Sequence, residues 1–343
     1  MKQETISSQD LDIPKQVALL AEARNKIEDQ LHRVVIGQKE VVGQVITSVF
    51  AGGHCIITGV PGLAKTLLIK SLGETMDLSF RRIQFTPDLM PSDISGTEVF
   101  EEDKASGQRN LKFMRGPVFA NIVLADEINR TPPKTQAALL EAMQEYQVTV
   151  GGNTHILDLP FFVLATQNPI EQEGTYPLPM VQQDRFMFSI IIGYLPRSEE
   201  AQVVSATTSR KAPKLDCVVS KQNLLNFQAV VREIPTAEVM VRYAVRLASW
   251  SRPDHPKAPD FVKEYVSWGA SPRASHYLVL AAKARAALSG RLAVSLEDIR
   301  SVALPVLRHR IMTNFRAESA GVRSEQIVDR LLKAVPTPTS GLA

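Results

Sequence analysis

The chain has 343 residues, 44% hydrophobic and 22% charged, and its 39 lysines and arginines against 36 aspartates and glutamates leave a net charge of +3. This length is more than one core usually organises, so two domains are expected, and the apolar content excludes wholesale disorder. The small charge neither demands nor forbids a nucleic-acid partner, and no apolar run approaches bilayer-spanning length, so no membrane insertion is expected. Two cysteines, Cys55 and Cys217, are too few for a disulfide framework or a zinc cluster and read as packing residues. The six histidines include no H-x-x-x-H pair of a helical metal site. Met1-Lys2-Gln3-Glu4-Thr5 is polar and lacks the apolar segment of a secretory signal, which makes the cytoplasm the expected compartment.

From Ile13 to Val34, apolar residues recur at helical intervals (Val17, Leu20, Ile27, Leu31) and predict a leading helix that ends near Ile36-Gly37-Gln38. Cys55-Ile56-Ile57 then reads as a short strand. It runs into Gly59-Val60-Pro61-Gly62-Leu63-Ala64-Lys65-Thr66, and a new apolar stretch opens at Leu67. Strand, glycine-bearing loop and helix make a phosphate loop. Its backbone N–H groups point at a polyphosphate, the helix N-terminus adds positive partial charge, Lys65 neutralises terminal phosphates, and Thr66 offers a hydroxyl to Mg²⁺. Ala64 departs from the usual G-x-x-x-x-G-K-[ST] pattern, standing where the last glycine belongs.

Further β-like runs follow at Phe80 to Phe85, Asn121 to Ala125, Phe161 to Ala165 and Ser189 to Ile192, separated by helical stretches. Strands apolar throughout suit a parallel sheet buried on both faces, with ligands at the strand C-terminal ends. Between them, Glu98-Val99-Phe100 and Leu111-Lys112-Phe113 are expected to pair across a polar tip at Asp103 to Arg109. A second hairpin is expected from Val148 to Ile156 around Gly151-Gly152-Asn153. After Tyr194-Leu195-Pro196 the texture becomes helical, with periodic stretches at Val239 to Trp250, Arg273 to Leu288 and Leu296 to Arg308. Residues 336–343 read as a frayed tail.

Ile122-Val123-Leu124-Ala125-Asp126-Glu127 is an apolar strand that ends in two carboxylates. Beside a phosphate loop, Asp126 can hold Mg²⁺ through its hydration shell, and Glu127 can deprotonate the water that attacks a γ-phosphate. The Phe161 strand ends in Gln167-Asn168-Pro169, where the Asn168 amide could reach both that phosphate and that water. Alone, Asn-Pro is a turn signal; its spacing after Asp126-Glu127 gives it the second meaning. Gln183-Asp184-Arg185-Phe186 closes a helix before the next strand, a position from which Arg185 can act in trans on a neighbouring subunit's nucleotide. Pro272 suits the first turn of a helix whose N-terminus would carry Arg273 toward the nucleotide.

The ordered series of phosphate loop, Asp126-Glu127, Asn168, Asp184-Arg185-Phe186 and Ser271-Pro272-Arg273 resembles the AAA+ ATPases. More narrowly it is similar to the MoxR family, on Gly59 to Thr66 with alanine before the lysine, Ile83 to Asp93, Ala125 to Arg130, Ala165 to Pro169, Gly269 to Arg273 and Val306 to Arg310. The resemblance covers about residues 15–335. It implies a five-stranded α/β module with an all-α lid, an ATP and Mg²⁺ site, and a hexameric ring that remodels or matures a protein client. The client's side is expected to include a partner carrying a von Willebrand factor A domain.

The implied domains are an N-terminal helix and linker (1–35), a nucleotide-binding core (36–196) with an insert (94–116) and a hairpin (147–159), and a lid (197–335). The resemblance adds Val35 and Ile36 as adenine contacts and makes Gly59, Pro61, Gly62, Leu63, Ala64 and Leu67 part of the nucleotide cradle with Lys65, Thr66 and Asp126. Glu127, Lys65, Asn168, Arg273 and the in-trans Arg185 form its catalytic set. Met180 stands where the family often carries a glutamate, which bears on the subunit contact. Alternatives are a nucleic-acid-stimulated motor, disfavoured by the lack of a strong basic excess, a nucleotide-gated scaffold with little turnover, and a chelatase-type module.

Overall fold

The computed structural model describes residues 12–102, 109–169, 174–208 and 213–338. Up to residue 191 the strands follow in chain order as β1 (Cys55–Thr58), β2 (Phe80–Gln84), a hairpin of β3 (Gly96–Glu102) and β4 (Arg109–Arg115), β5 (Ile122–Asp126), a second hairpin of β6 (Gln147–Val150) and β7 (Asn153–Ile156), β8 (Phe162–Gln167) and β9 (Phe188–Ile191). A short antiparallel pair, β10 (Val266–Trp268) and β11 (Met312–Thr313), interrupts the otherwise helical C-terminal part. Five of them make one parallel sheet in the order β2-β5-β8-β1-β9. The expected α/β core with a helical lid is thus the observed architecture. The register aligns Gln84 with Asp126, Ala125 with Ala165, Thr58 with Gln167 and Thr58 with Ile191, so all five strand ends, and the phosphate loop that continues β1, share one edge.

The interior strands are buried along almost their whole length because helices cover both faces. The helices up to residue 207 are α1 (Ile13–His32), α2 (Lys39–Ala51), α3 (Lys65–Thr75), α4 (Pro91–Ser95), α5 (Pro133–Glu145), α6 (Met180–Gln183) and α7 (Arg197–Thr207), the last lying in the expected lid range but grouping with the sheet. Ile83, Phe85, Val123, Ala125, Val163 and Ala165 pack against Leu139, Leu140 and Met143 of α5. Each such large aliphatic side chain contributes about 1.5–3 kcal/mol by leaving water. Helix α2 is an addition to the elements foreseen above. Its run of valine and isoleucine is buried on the β9 side of the sheet, and it stops at Gly52, whose φ of 70° lets its N–H reach the last carbonyls.

Both expected hairpins form. Glu98, Val99 and Phe100 face Phe113, Lys112 and Leu111, and Gly151-Gly152 makes the turn of the second hairpin with φ of 59° and 79°, values that favour glycine. Most of the polar tip expected at Asp103 to Arg109 lies outside the described residues. The hairpins are bound to one another: the Phe113 and His155 rings stack at 3.9 Å between centroids, and Asn153 donates to Glu98 at 3.4 Å.

The chain divides into two compact units, Glu28–Lys221 and the pair Met1–Ile27 with Gln222–Ala343. The segment after α7 groups with the sheet because Val218 N–H donates to Thr75 O at 2.8 Å and Asp216 N–H to Gln30 Oε1 at 3.0 Å. In the second unit the main helices are α8 (Lys221–Glu233, starting at the unit boundary), α9 (Glu238–Ser249), α10 (Asp260–Tyr265), α11 (Pro272–Leu288) and α12 (Leu296–Leu307). Alanines 281, 282, 284, 286 and 287 are buried in α11 and allow close helix approach. Buried Asp298 is held by Arg291 and by the Ser295 capping box. No described helix is long and apolar enough to cross a membrane.

His54 ties the sheet to α5 and carries a pH dependence. Val163 N–H donates to Nδ1 at 3.1 Å, so Nε2 bears the proton and donates to Met143 O at 3.1 Å. Burial pushes the imidazole down to about 4, with the Met143 contact opposing. A depressed folded value means stability that is present above the unfolded value near 6.5 and is lost as pH falls toward 4. The loss is roughly 3 kcal/mol across that window. Urea unfolding at pH 7 and pH 4.5 should show this drop, and His54→Gln should be less stable at pH 7 but flatter between the two.

Candidate active site

The phosphate loop leaves β1 at Thr58 and enters α3 at Lys65. Gly59 is required there by close approach: a Cβ would lie 2.0 Å from Ile192 Cγ2 and 2.7 Å from Ile192 O. Ala64 occupies the left-handed region, φ 55° and ψ 22°, at the position before the helix. The helical ladder begins with Leu68 N–H to Ala64 O, which leaves the N–H groups of Lys65, Thr66 and Leu67 in the first turn, where donors point outward toward an anion. Alanine pays a left-handed penalty of about 1–2 kcal/mol that glycine escapes, partly offset by glycine's freer unfolded chain. Ala64→Gly is therefore expected to raise unfolding free energy by about 0.5–1 kcal/mol in denaturant titrations.

One cavity of about 470 Å³ is lined by residues 61–67, Arg82, Asp126, Glu127 and Asn168. It gathers Pro61, Gly62, Leu63, Ala64, Lys65, Thr66 and Leu67 with both carboxylates and Asn168, which is buried at the end of β8. Gly59 contributes its carbonyl, which accepts from Lys65 Nζ at 2.7 Å. Burial draws the Lys65 ammonium below the usual lysine range, and the charges of Asp126 and Glu127 oppose that shift. A cationic amine, first-turn N–H donors, a hydroxyl and a strand-end carboxylate together fit a polyphosphate with its hydrated magnesium.

Other predicted residues lie elsewhere. Val35 is buried beyond α1, with its N–H donating to Leu31 O at 2.8 Å, and neither it nor Ile36 lines the cavity. Arg185 lines a separate cavity of about 270 Å³ with Glu141, Glu145 and Gln182, and its Nη1 donates to Leu140 O at 2.5 Å. Arg273 belongs to the second unit, where it follows the Ser271 cap and Pro272 at the start of α11.

Four residues absent from the sequence-based set organise the carboxylates. Thr166 Oγ donates to Asp126 Oδ1 at 2.6 Å and accepts from Glu127 N–H at 2.9 Å. Its signal in the sequence is its place at the polar end of an apolar strand, two residues before Asn168. Arg82 donates to Asp126 Oδ2 through Nε at 2.9 Å and Nη2 at 2.6 Å. Gln84 Nε2 and Arg130 Nη1 both donate to Glu127 Oε2, at 2.8 and 3.0 Å. Glu127 itself is left-handed, φ 57°, which turns the backbone sharply off β5 into the 3-10 turn Ile128–Arg130.

Comparison with known proteins agrees with this geometry. A profile for the ATPase family associated with various cellular activities matches residues 54–188, and one for the AAA lid domain matches 260–331. The chain is 39% identical to chaperone MoxR1 of Mycobacterium tuberculosis over 90% of its own length and 81% of that protein. It is 40% identical to YeaC of Bacillus subtilis, over 91% and 94%. A crystal structure of a candidate ATPase from Cytophaga hutchinsonii superposes with a TM-score of 0.88 at 40% identity, covering 95% of this chain and 98% of that one. With a phosphate loop, a carboxylate-ended strand and a helical lid in this order, the chain belongs to the MoxR family of AAA+ ATPases.

Proposed function

We propose that the chain hydrolyses Mg·ATP at the subunit interfaces of a hexameric ring in the cytoplasm and couples turnover to chaperone-like remodelling or maturation of a protein client. The observation that supports this most is the single cavity shared by Lys65, Thr66, Asp126, Glu127 and Asn168. Within it, Lys65 and the α3 N-terminus bind the phosphates, while the metal would be held by the Thr66 hydroxyl and, through its hydration shell, by Asp126. Bound Mg²⁺ neutralises charge on the phosphate oxygens. Glu127 takes the proton of the attacking water, and Asn168 orients that water against the γ-phosphate.

Arg185 is placed apart from its own chain's cavity. That separation favours its use on a neighbour's nucleotide, where its charge stabilises the developing transition state. The role of Arg273 as a reporter of the γ-phosphate, and a partner with a von Willebrand factor A domain, rest on the family resemblance. Steady-state phosphate release by the wild-type chain, measured with and without Mg²⁺ across protein concentrations, tests the proposal. Turnover that requires Mg²⁺ and rises per subunit as the ring assembles supports it, and no turnover at any concentration overturns it.

A further inference from the structure

The cavity contains a cation of its own. Arg82 lies on β2, the edge strand next to β5, opposite Leu124 in register, and its guanidinium reaches forward along the strand to Asp126. Nε and Nη2 both donate to Oδ2, while Oδ1 accepts from Thr166. A carboxylate offers about four lone-pair positions, and three are thereby engaged. Mg²⁺ keeps its waters, and those waters must donate to the same carboxylate. A hydrated dication brought to an oxygen that already holds a guanidinium places like charges about one water layer apart and competes for the same lone pairs, which disfavours joint occupancy.

We propose that Arg82 competes with the hydrated divalent cation for Asp126 Oδ2, so that metal loading displaces the arginine. The inference rests on reading the cavity as a Mg·nucleotide site. The Arg82 side chain is 48% exposed and Asp126 only 13%, so the arginine is the partner able to swing into water. Its departure also reaches Glu127. Arg82 Nη2 donates to Gln84 Oε1, and the other end of that amide, Nε2, donates to Glu127 Oε2. Arg82 thus orients the amide that holds the water-activating carboxylate, and releasing it loosens Glu127 when metal arrives. It is a positioning residue that couples the two acids.

The test measures metal binding directly, with Mn²⁺ as probe. Mn²⁺ is titrated into protein saturated with a non-hydrolysable ATP analogue, and free Mn²⁺ is read by electron paramagnetic resonance. Arg82→Gln is expected to bind Mn²⁺ roughly three- to tenfold more tightly than wild type, the scale of a partly exposed charge-assisted pair. Arg82→Lys, which keeps a cation without the two-pronged contact, should fall between. Arg130→Gln removes a nearby guanidinium that donates to Glu127 Oε2, and Mn²⁺ affinity should stay within about twofold of wild type.

Unchanged or weaker Mn²⁺ binding by Arg82→Gln overturns the competition. So does an equal tightening in Arg130→Gln, which would mean a general field effect. A wild-type protein that binds no Mn²⁺ beyond the analogue alone would instead remove the nucleotide-site reading, and that result is visible before any variant is compared.

Discussion

Glu127→Gln is expected to lower steady-state ATP turnover by roughly 10²–10⁴-fold, the usual contribution of a positioned general base, while ATP binding stays within a few-fold of wild type. The substitution is nearly isosteric. Glutamine keeps an oxygen that can accept from Arg130 and Gln84, which now share Glu127 Oε2, and it keeps the backbone N–H that donates to Thr166. What it loses is the ability to take a proton from water. Phosphate-release assays paired with equilibrium binding of a fluorescent nucleotide separate the two effects. Turnover within tenfold of wild type would remove Glu127 from the role of base and leave it as a structural member of the chain of contacts from Arg82 to Arg130.

Arg185→Ala should likewise bind ATP but lose turnover by about 10³-fold or more, the range seen when a transition-state arginine is removed. The distinctive measurement is mixing. In a head-to-tail ring each site would take Glu127 from one subunit and Arg185 from the next, so two inactive variants carry complementary halves. A one-to-one mixture of Glu127→Gln and Arg185→Ala rebuilds about one interface in four by random assembly. Partial recovery of turnover on mixing is the expected result. An assembled mixture with no recovery, or an Arg185→Ala protein with undiminished turnover, would show that Arg185 does not act across the interface. Within its own chain the substitution removes the Arg185 Nη1 donation to Leu140 O of α5, a contact that water can replace.

Much of the site could be read from consecutive residues. The phosphate loop is eight residues between a short strand and a helix, and the geometry around Gly59 and Lys65 follows from that order. Asp126-Glu127 could be placed because an apolar run ending in acids marks a strand terminus. The structure extends the strands to Asp126 and to Gln167, slightly beyond the ends expected from apolar character alone. Ladder hydrogen bonds continue past the last apolar side chain, so polarity marks the ends imperfectly. The insert hairpin was legible because Phe100 and Leu111 are β-formers symmetric about a polar tip, although its strands run two residues further at each end than the apolar character marks.

Helix α2 was harder to see, since its valines and isoleucines favour strand locally, and burial against the β9 side of the sheet overrides that preference. Arg82, Gln84, Thr166 and Arg130 were not legible as a group. Gln84, Thr166 and Arg130 lie inside the family-like stretches without a role of their own being readable there, and Arg82 in sequence is merely the second arginine of Phe80-Arg81-Arg82-Ile83.

By itself the sequence determined the family, the parallel sheet with its helical lid, the phosphate loop and the strand that ends in Asp126-Glu127, since each depends on neighbours within a few residues. Only the tertiary structure decided which side chains govern those carboxylates. The order β2-β5-β8 places Arg82 and Gln84 on one side of Asp126-Glu127 and Thr166 on the other. Strand order is set by non-local pairing and helix crossover, so contacts between residues about forty positions apart exist only once the sheet has formed.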